Sequence, residues 1–124
     1  RGVEASDELA VSWFRRAAKE NDPPALDHLA WMLKQGKGCE RDDAEALRLF
    51  KTAALARHHQ ARFNLGVMLK EGRGLEAPDE LNALVWLSLA ARVGHEGAIQ
   101  ARNDLEARVS PELKARANAL MRER

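Results

Sequence analysis

The chain has 124 residues, the size of one domain with a single hydrophobic core. Its 20 Lys and Arg residues nearly balance its 19 Asp and Glu residues, for a net charge of +1. This balance argues against a nucleic-acid-binding protein, which usually carries a clustered basic excess. No apolar run approaches the about 20 residues that a membrane-spanning helix needs, so we expect no membrane insertion.

The start of the chain, RGVEASDE, has neither an initiator Met nor the apolar stretch of a secretion signal. We therefore expect a processed protein or an excised segment of a longer one. Its compartment, cytoplasmic or periplasmic, is left open. Cys39 is the only cysteine, which excludes an intrachain disulfide and a cluster of thiolate metal ligands.

The first predicted helix runs from Ser6 to about Glu20, with Ser6 as its N-cap. Its apolar positions recur at helical spacing: Ala10, Trp13, Phe14, Ala17 and Ala18. The segment 21–24, Asn-Asp-Pro-Pro, then predicts a turn.

Residues 25–60 form a unit that residues 61–97 repeat. Ala25 and Ala61 are 36 positions apart, whereas Phe50 and Leu87 are 37 apart because one residue is inserted after the glycines. A self-similar period of this length is typical of a solenoid. Each unit predicts two helices, at about 24–35 and 43–56 in the first, joined by a Gly-x-Gly turn.

The same offsets organise the two ends of the chain. Subtracting 36 from the apolar positions of the second predicted helix of the unit identifies residues 6–22 as a half repeat. Residues 98–121 keep part of the apolar pattern and form a degenerate repeat, whose last helix is capped by Ser110. Terminal solenoid units need a polar outer face, which this closing segment provides. We therefore predict one domain, 1–124, with an all-α fold: a right-handed α-solenoid of antiparallel helix pairs and a C-terminal capping helix.

The repeat positions also predict the turn conformations. Asn21, Arg57 and Gly94 share one repeat position, and we expect all three to have positive φ. The same is expected among the glycines of the two Gly-x-Gly turns, which are Gly36, Gly38, Gly72 and Gly74.

The pattern Ala25…Leu29…Met32…Gly36-x-Gly38…Ala46…Phe50…Ala53-Ala54 resembles the Sel-one-like repeat (SLR) family, relatives of the tetratricopeptide repeat. Residues 61–97 match best, and the departures include Ala30 and Arg57, where the family has glycine. The resemblance covers about residues 6–121. It implies a non-enzymatic adaptor or scaffold, of a kind frequent in bacterial envelope, secretion and signalling contexts.

We find no catalytic constellation, metal site or cofactor site in the sequence. The Gly-x-Gly pairs follow helices and recur at the repeat period, so we interpret them as turns and not as phosphate-binding loops. His58, His59 and His95 fall at inter-repeat turns, and Cys39 has no base nearby in sequence.

Trp31 lies apart from the core stripe of Leu29 and Leu33. It shares a helix face with Asp27 and Lys34, and one repeat later that face carries Phe63, Val67 and Lys70, next to Glu71. In tetratricopeptide relatives this face lines the concave groove. The aromatic side chains either bind a partner there or pack against a neighbouring repeat, and the sequence leaves both interpretations open.

The predicted function is a protein–protein interaction scaffold that holds a peptide or partner protein on its concave face. The predicted contacts, called the groove residues below, are Asp27, Trp31, Lys34, Phe63, Val67, Lys70 and Glu71. The alternative is a purely architectural segment of a longer repeat protein. Trp13 and Phe14 lack a preceding helix to cover them, so we also expect self-association or a lost neighbouring repeat at that end.

Overall fold

The computed structural model describes residues 2–122, with side chains from residue 6 onward, and that range contains seven helices and no strand. Its helices are α1 (Gly2–Ala18), α2 (Pro23–Gln35), α3 (Asp43–Leu55), α4 (His59–Glu71), α5 (Glu80–Arg92), α6 (Glu96–Glu106) and α7 (Pro111–Met121). The pairs α2–α3 and α4–α5 form the two full repeats, and consecutive helices from α1 to α6 pack on one another. The fold is the all-α solenoid that the sequence predicts.

The N-caps explain where most of the helices begin. Asp42 accepts a hydrogen bond from the backbone N–H of Glu45 at 3.0 Å, and Asp79, its repeat equivalent, accepts one from Asn82 at 3.1 Å. Ser110 caps α7 in the same way, through Leu113. Each cap satisfies a backbone donor that has no partner inside the helix.

Ser6, the third residue at this repeat position, is not an N-cap, so that prediction is wrong. α1 begins at Gly2 and Ser6 lies inside it. The residues before Ser6 contain no proline, so nothing in them stops the helix from extending upstream.

The predicted positive φ angles are confirmed at every position. Asn21, Arg57 and Gly94 have φ of 58°, 66° and 88°. The four glycines of the Gly-x-Gly turns lie between 69° and 81°. The second glycine of each turn also touches the preceding repeat, because a Cβ at Gly38 or Gly74 would lie 2.5 Å from Asp7 or 2.9 Å from Asp43. Only glycine fits this close approach.

The core is built from alanines that let the helices approach and from large side chains that fill the space between them. Ala46, Ala53, Ala54 and Phe50 of α3 are completely buried. In the second repeat Gly66 of α4 lies so close to Leu87 of α5 that a Cβ would meet the leucine side chain at 2.7 Å. These contacts join α1 to α7 through one hydrophobic cluster.

The last helix packs mainly against α5, and much less against α6, its neighbour in sequence. α5 is buried on all sides, including Val85, Ser88 and Leu89. The equivalent positions of α3 are the exposed Arg48, Lys51 and Thr52. α7 therefore closes the solenoid by covering an apolar face that only α5 carries.

Candidate functional site

Trp31 is the most exposed aromatic side chain among the predicted groove residues. It is 42 % exposed although its helix neighbours Ala30 and Met32 are buried. The Nζ of Lys37 lies 5.4 Å from the centre of the indole ring, a cation–π contact. Trp31 lines an open cleft, called the Trp31 cleft below, with two carboxylates of α1 and the turn after α2: Asp7, Glu8, Gln35, Gly36, Lys37, Gly38, Cys39 and Glu40.

Phe63 and Val67 do not share this cleft. The ring of Phe63 is half-buried and stacks on His95, with ring centres 4.5 Å apart. His95 is fixed in turn, because its Nδ1 accepts a hydrogen bond from the N–H of Ala98 and its Nε2 donates to Gln60. Val67 is also half-buried. Phe63 therefore packs between repeats, which is the interpretation that the sequence left open beside partner binding.

Asp27 lies in the interior and not on the rim. It is 5 % exposed, and its Oδ1 accepts a hydrogen bond from Asn64 of the next repeat at 2.9 Å. The Nε2 of His58 lies 3.8 Å from the other carboxylate oxygen. A buried carboxylate needs such partners, so Asp27 joins two repeats and offers no surface to a ligand.

The remaining groove residues, Lys34, Lys70 and Glu71, lie near the C-terminal ends of α2 and α4. Burial lowers the pKa of Lys34 from its usual value, and the nearby carboxylate of Glu71 opposes this shift. Lys70 and Glu71 line a second open cleft together with Asp104 and Arg108 of the closing segment. Positive and negative groups therefore alternate along this part of the surface.

One polar cluster at the repeat junction was not anticipated from the sequence. The guanidinium of Arg73 donates to both carboxylate oxygens of Asp43 and to the carbonyl oxygen of Lys34. Arg41 binds the same carboxylate, and its hydrogen bond is the main reason why the pKa of Asp43 lies below its usual value. The cluster ties the turn after α4 to both helices of the first repeat.

Trp13 on α1 is the second exposed tryptophan. It is 58 % exposed, whereas Leu49 and Trp86 at the same repeat position are 8 % and 5 % exposed. Arg16 lies 5.2 Å from its ring centre. Phe14, by contrast, is half-buried and stacks on His28 at 5.1 Å. Of the two rings predicted to be open at this end, only Trp13 is open.

Among the described side chains, no group of three or more His, Cys, Asp or Glu residues could hold a metal ion. Burial raises the pKa of the Cys39 thiol, which lowers the fraction present as the reactive thiolate. Nor is any of the helices from residue 2 to 122 long and apolar enough to cross a membrane.

Comparison with known proteins agrees with the repeat architecture described above. The sequence model of the Sel1 repeat matches residues 1–22, 23–58 and 59–95. No curated protein sequence matches the chain.

The solved structures that are similar to this one include two with SLR or Sel1 repeats. The first is c5321, a protective antigen present in uropathogenic Escherichia coli strains that displays an SLR fold, with a TM-score of 0.90 and 28 % identity over 94 % of this chain. The second is a Sel1 repeat protein from Oxalobacter formigenes, with a TM-score of 0.70 and 27 % identity over 77 % of this chain. The match covers 25 % of the first protein and 39 % of the second, so this chain spans less than half the length of either.

Proposed function

The chain belongs to the Sel1 repeat family of generally non-catalytic protein-interaction modules, and we propose that it is an adaptor that binds a peptide or partner protein at Trp31. The partner docks on the predicted concave face. Trp31 is the anchor, and Lys34, Lys70 and Glu71 provide charged contacts at the rim. The exposure of the Trp31 ring is the observation that carries this proposal.

The surroundings of Trp31 support an anchor role. A large ring left 42 % exposed beside a cleft supplies contact area at low entropic cost. Lys37 covers part of the ring, but an exposed cation–π contact is worth only about 0.5–1 kcal/mol. A partner side chain can therefore displace Lys37 at little cost.

The contacts of Asp27 and Phe63 narrow the proposed surface. Asp27 is engaged by Asn64 of the following repeat, and Phe63 by His95 at the start of α6. The proposed binding surface therefore extends from Trp31 into the Trp31 cleft more than along α4. Val67 contributes its exposed part at the edge.

A peptide-display selection on the immobilised chain tests this proposal. We expect enriched peptides that bind the wild-type chain and Trp13→Ala equally but lose binding to Trp31→Ala. Trp13 is the matched control, since it is also an exposed tryptophan. Peptides that ignore Trp31→Ala, or no enrichment above an unrelated helical protein, would contradict the proposal.

The architectural alternative is favoured by one observation, the exposure of Trp13. In α3 and α5 the equivalent side chain is buried where the preceding helix packs, and α1 has no such helix in this chain. On this alternative the face of α1 is a surface for stacking, including self-association. Light scattering should then show a concentration-dependent dimer that Trp13→Glu abolishes. A strict monomer at all concentrations would count against self-association.

A further inference from the structure

A third cleft is separate from both clefts described above. It forms where the C-terminal ends of α3 and α5 meet the first turn of α4. We call it the basic cleft, and its lining residues are Leu55, Arg57, His59, Arg62, Trp86, Leu89, Arg92 and Val93. Its volume is about 350 Å³, which is room for one or two side chains. It shares no lining residue with the Trp31 cleft.

The charge of the basic cleft has one sign. Three arginines and a histidine line it, and no carboxylate does. The other clefts near the groove residues are mixed, since Lys37 faces three carboxylates in one and Asp104 faces Arg108 in the other. A lining of one sign in a chain of net charge +1 favours a ligand of opposite charge.

The basic cleft also has an apolar part. Leu55 and Val93, at the ends of α3 and α5, are each 55 % exposed, while Trp86 and Leu89 beneath them are buried. Arg62 is held in place above this floor, because its Nε donates to the carbonyl oxygen of Ala54 at 3.0 Å and its guanidinium lies 5.8 Å from the Trp86 ring centre. The result is an apolar centre with a cationic rim.

Arg57 occupies its place in this rim in an unfavourable backbone conformation. Its φ is 66°, at the repeat position where the chain has Asn21 and Gly94. An arginine there costs free energy that glycine would not, and strain of this kind is concentrated at functional sites. A positive charge at the C-terminal end of α3 interacts favourably with the helix dipole, which offsets part of this conformational cost. The dipole effect alone does not explain why the Arg57 side chain lines the basic cleft.

From these observations we infer that the basic cleft binds an acidic peptide segment that carries an aliphatic or aromatic side chain. The apolar side chain rests on Leu55 and Val93, and the flanking carboxylates meet Arg57, Arg62 and Arg92. A nucleic acid fits less well, because the overall charge is nearly balanced and the exposed centre of the cleft is aliphatic. This surface is additional to the proposed binding at Trp31 and does not depend on it.

Fluorescence anisotropy with defined probes tests the inference. The main probe is a short labelled peptide that alternates glutamate with leucine and phenylalanine. Its controls have lysine in place of glutamate, or glycine in place of the apolar residues, and a short single-stranded oligonucleotide represents nucleic acid. We expect the acidic apolar peptide to bind most tightly, with an affinity that falls as salt is added.

Matched variants locate the site. Arg57→Gly and Leu55→Ser should each weaken binding of the acidic apolar peptide by about twofold to fivefold. Asn21→Gly and Leu9→Ser change an equivalent turn residue and another exposed leucine outside the cleft, so they should bind as the wild type does. Trp31→Ala should also leave binding unchanged.

Three results would overturn the inference. One is wild-type affinity in both Arg57→Gly and Leu55→Ser. Another is equal or tighter binding of the lysine peptide or the oligonucleotide. The third is loss of binding in Trp31→Ala. That result would place the peptide at Trp31, which supports the proposed function and shows that the basic cleft is not the binding site.

Discussion

α1 and α5 carry a tryptophan at the same repeat position but in opposite environments. Trp86 of α5 is 5 % exposed, and Trp13 of α1 is 58 % exposed. The difference arises from the neighbours, since α5 packs on the helix that precedes it, α4, whereas α1 packs on α2, the helix that follows it. In a solenoid each unit is completed by the units that pack on both of its sides, so the same residue type stabilises the core in one unit and forms a surface in another.

The largest expected effect follows directly from this comparison. Trp86→Ala should lower the free energy of unfolding by about 3–5 kcal/mol, because it leaves a cavity in the core. Trp13→Ala should change it by less than about 0.5 kcal/mol, as surface substitutions do. Urea denaturation of both variants measures the two values. Equal losses would mean that α1 is covered in solution.

The same contrast holds between two neighbouring positions of α2. Leu29 is 2 % exposed and Trp31 is 42 % exposed. Leu29→Ala should destabilise the chain by about 2–5 kcal/mol, and Trp31→Ala should leave most of its stability. If denaturation shows that Trp31→Ala is as unstable as Leu29→Ala, the tryptophan is a packing residue and not an anchor.

A smaller effect, of opposite sign, is expected at Arg57. Arg57→Gly should raise stability by about 0.5–1 kcal/mol, since glycine removes the cost of a positive φ but adds entropy to the unfolded chain. Asn21→Gly, at the equivalent turn, should gain less because asparagine tolerates this conformation. Thermal denaturation followed by circular dichroism compares them. An unchanged or lower Tm for Arg57→Gly would show that the positive φ of Arg57 does not destabilise the fold.

The smallest effect concerns the Asp43 cluster and depends on pH. The pKa of Asp43 lies below its usual value because Arg41 and Arg73 bind the carboxylate. Its contribution is therefore complete above the unfolded pKa of about 3.9 and is lost as pH falls through the lower folded pKa. Asp43→Asn should be less stable than wild type at neutral pH, and the gap should narrow in acid. A gap independent of pH in urea denaturation would argue against this ion pair.

Local chemistry explains what the sequence predicted well. The turns at Asn21, Arg57 and Gly94 and the caps at Asp42 and Asp79 depend on residues within a few positions, so the repeat offset is enough to find them. The prediction of Ser6 as an N-cap was wrong because a residue of a capping type does not mark the start of a helix when the preceding residues are also helical.

The features that the sequence missed depend on distant residues. Asp27 is buried by Asn64, 37 positions away, and Phe63 by His95, so neither can be assigned from the stripe of one helix. The sequence of α5 did indicate that a further helix, α7, packs against it. α5 has Val85, Ser88 and Leu89 where α3 has Arg48, Lys51 and Thr52, and a helix that is apolar on all sides needs an additional partner.

Calorimetry can determine whether Trp31 anchors a partner. A peptide selected on the wild-type chain is titrated by calorimetry into wild type, Trp31→Ala and Trp13→Ala. We expect Trp31→Ala to lose about 2 kcal/mol or more of binding free energy, as truncation of a hot-spot side chain does, and Trp13→Ala to bind as wild type does. Equal affinity in all three would contradict it.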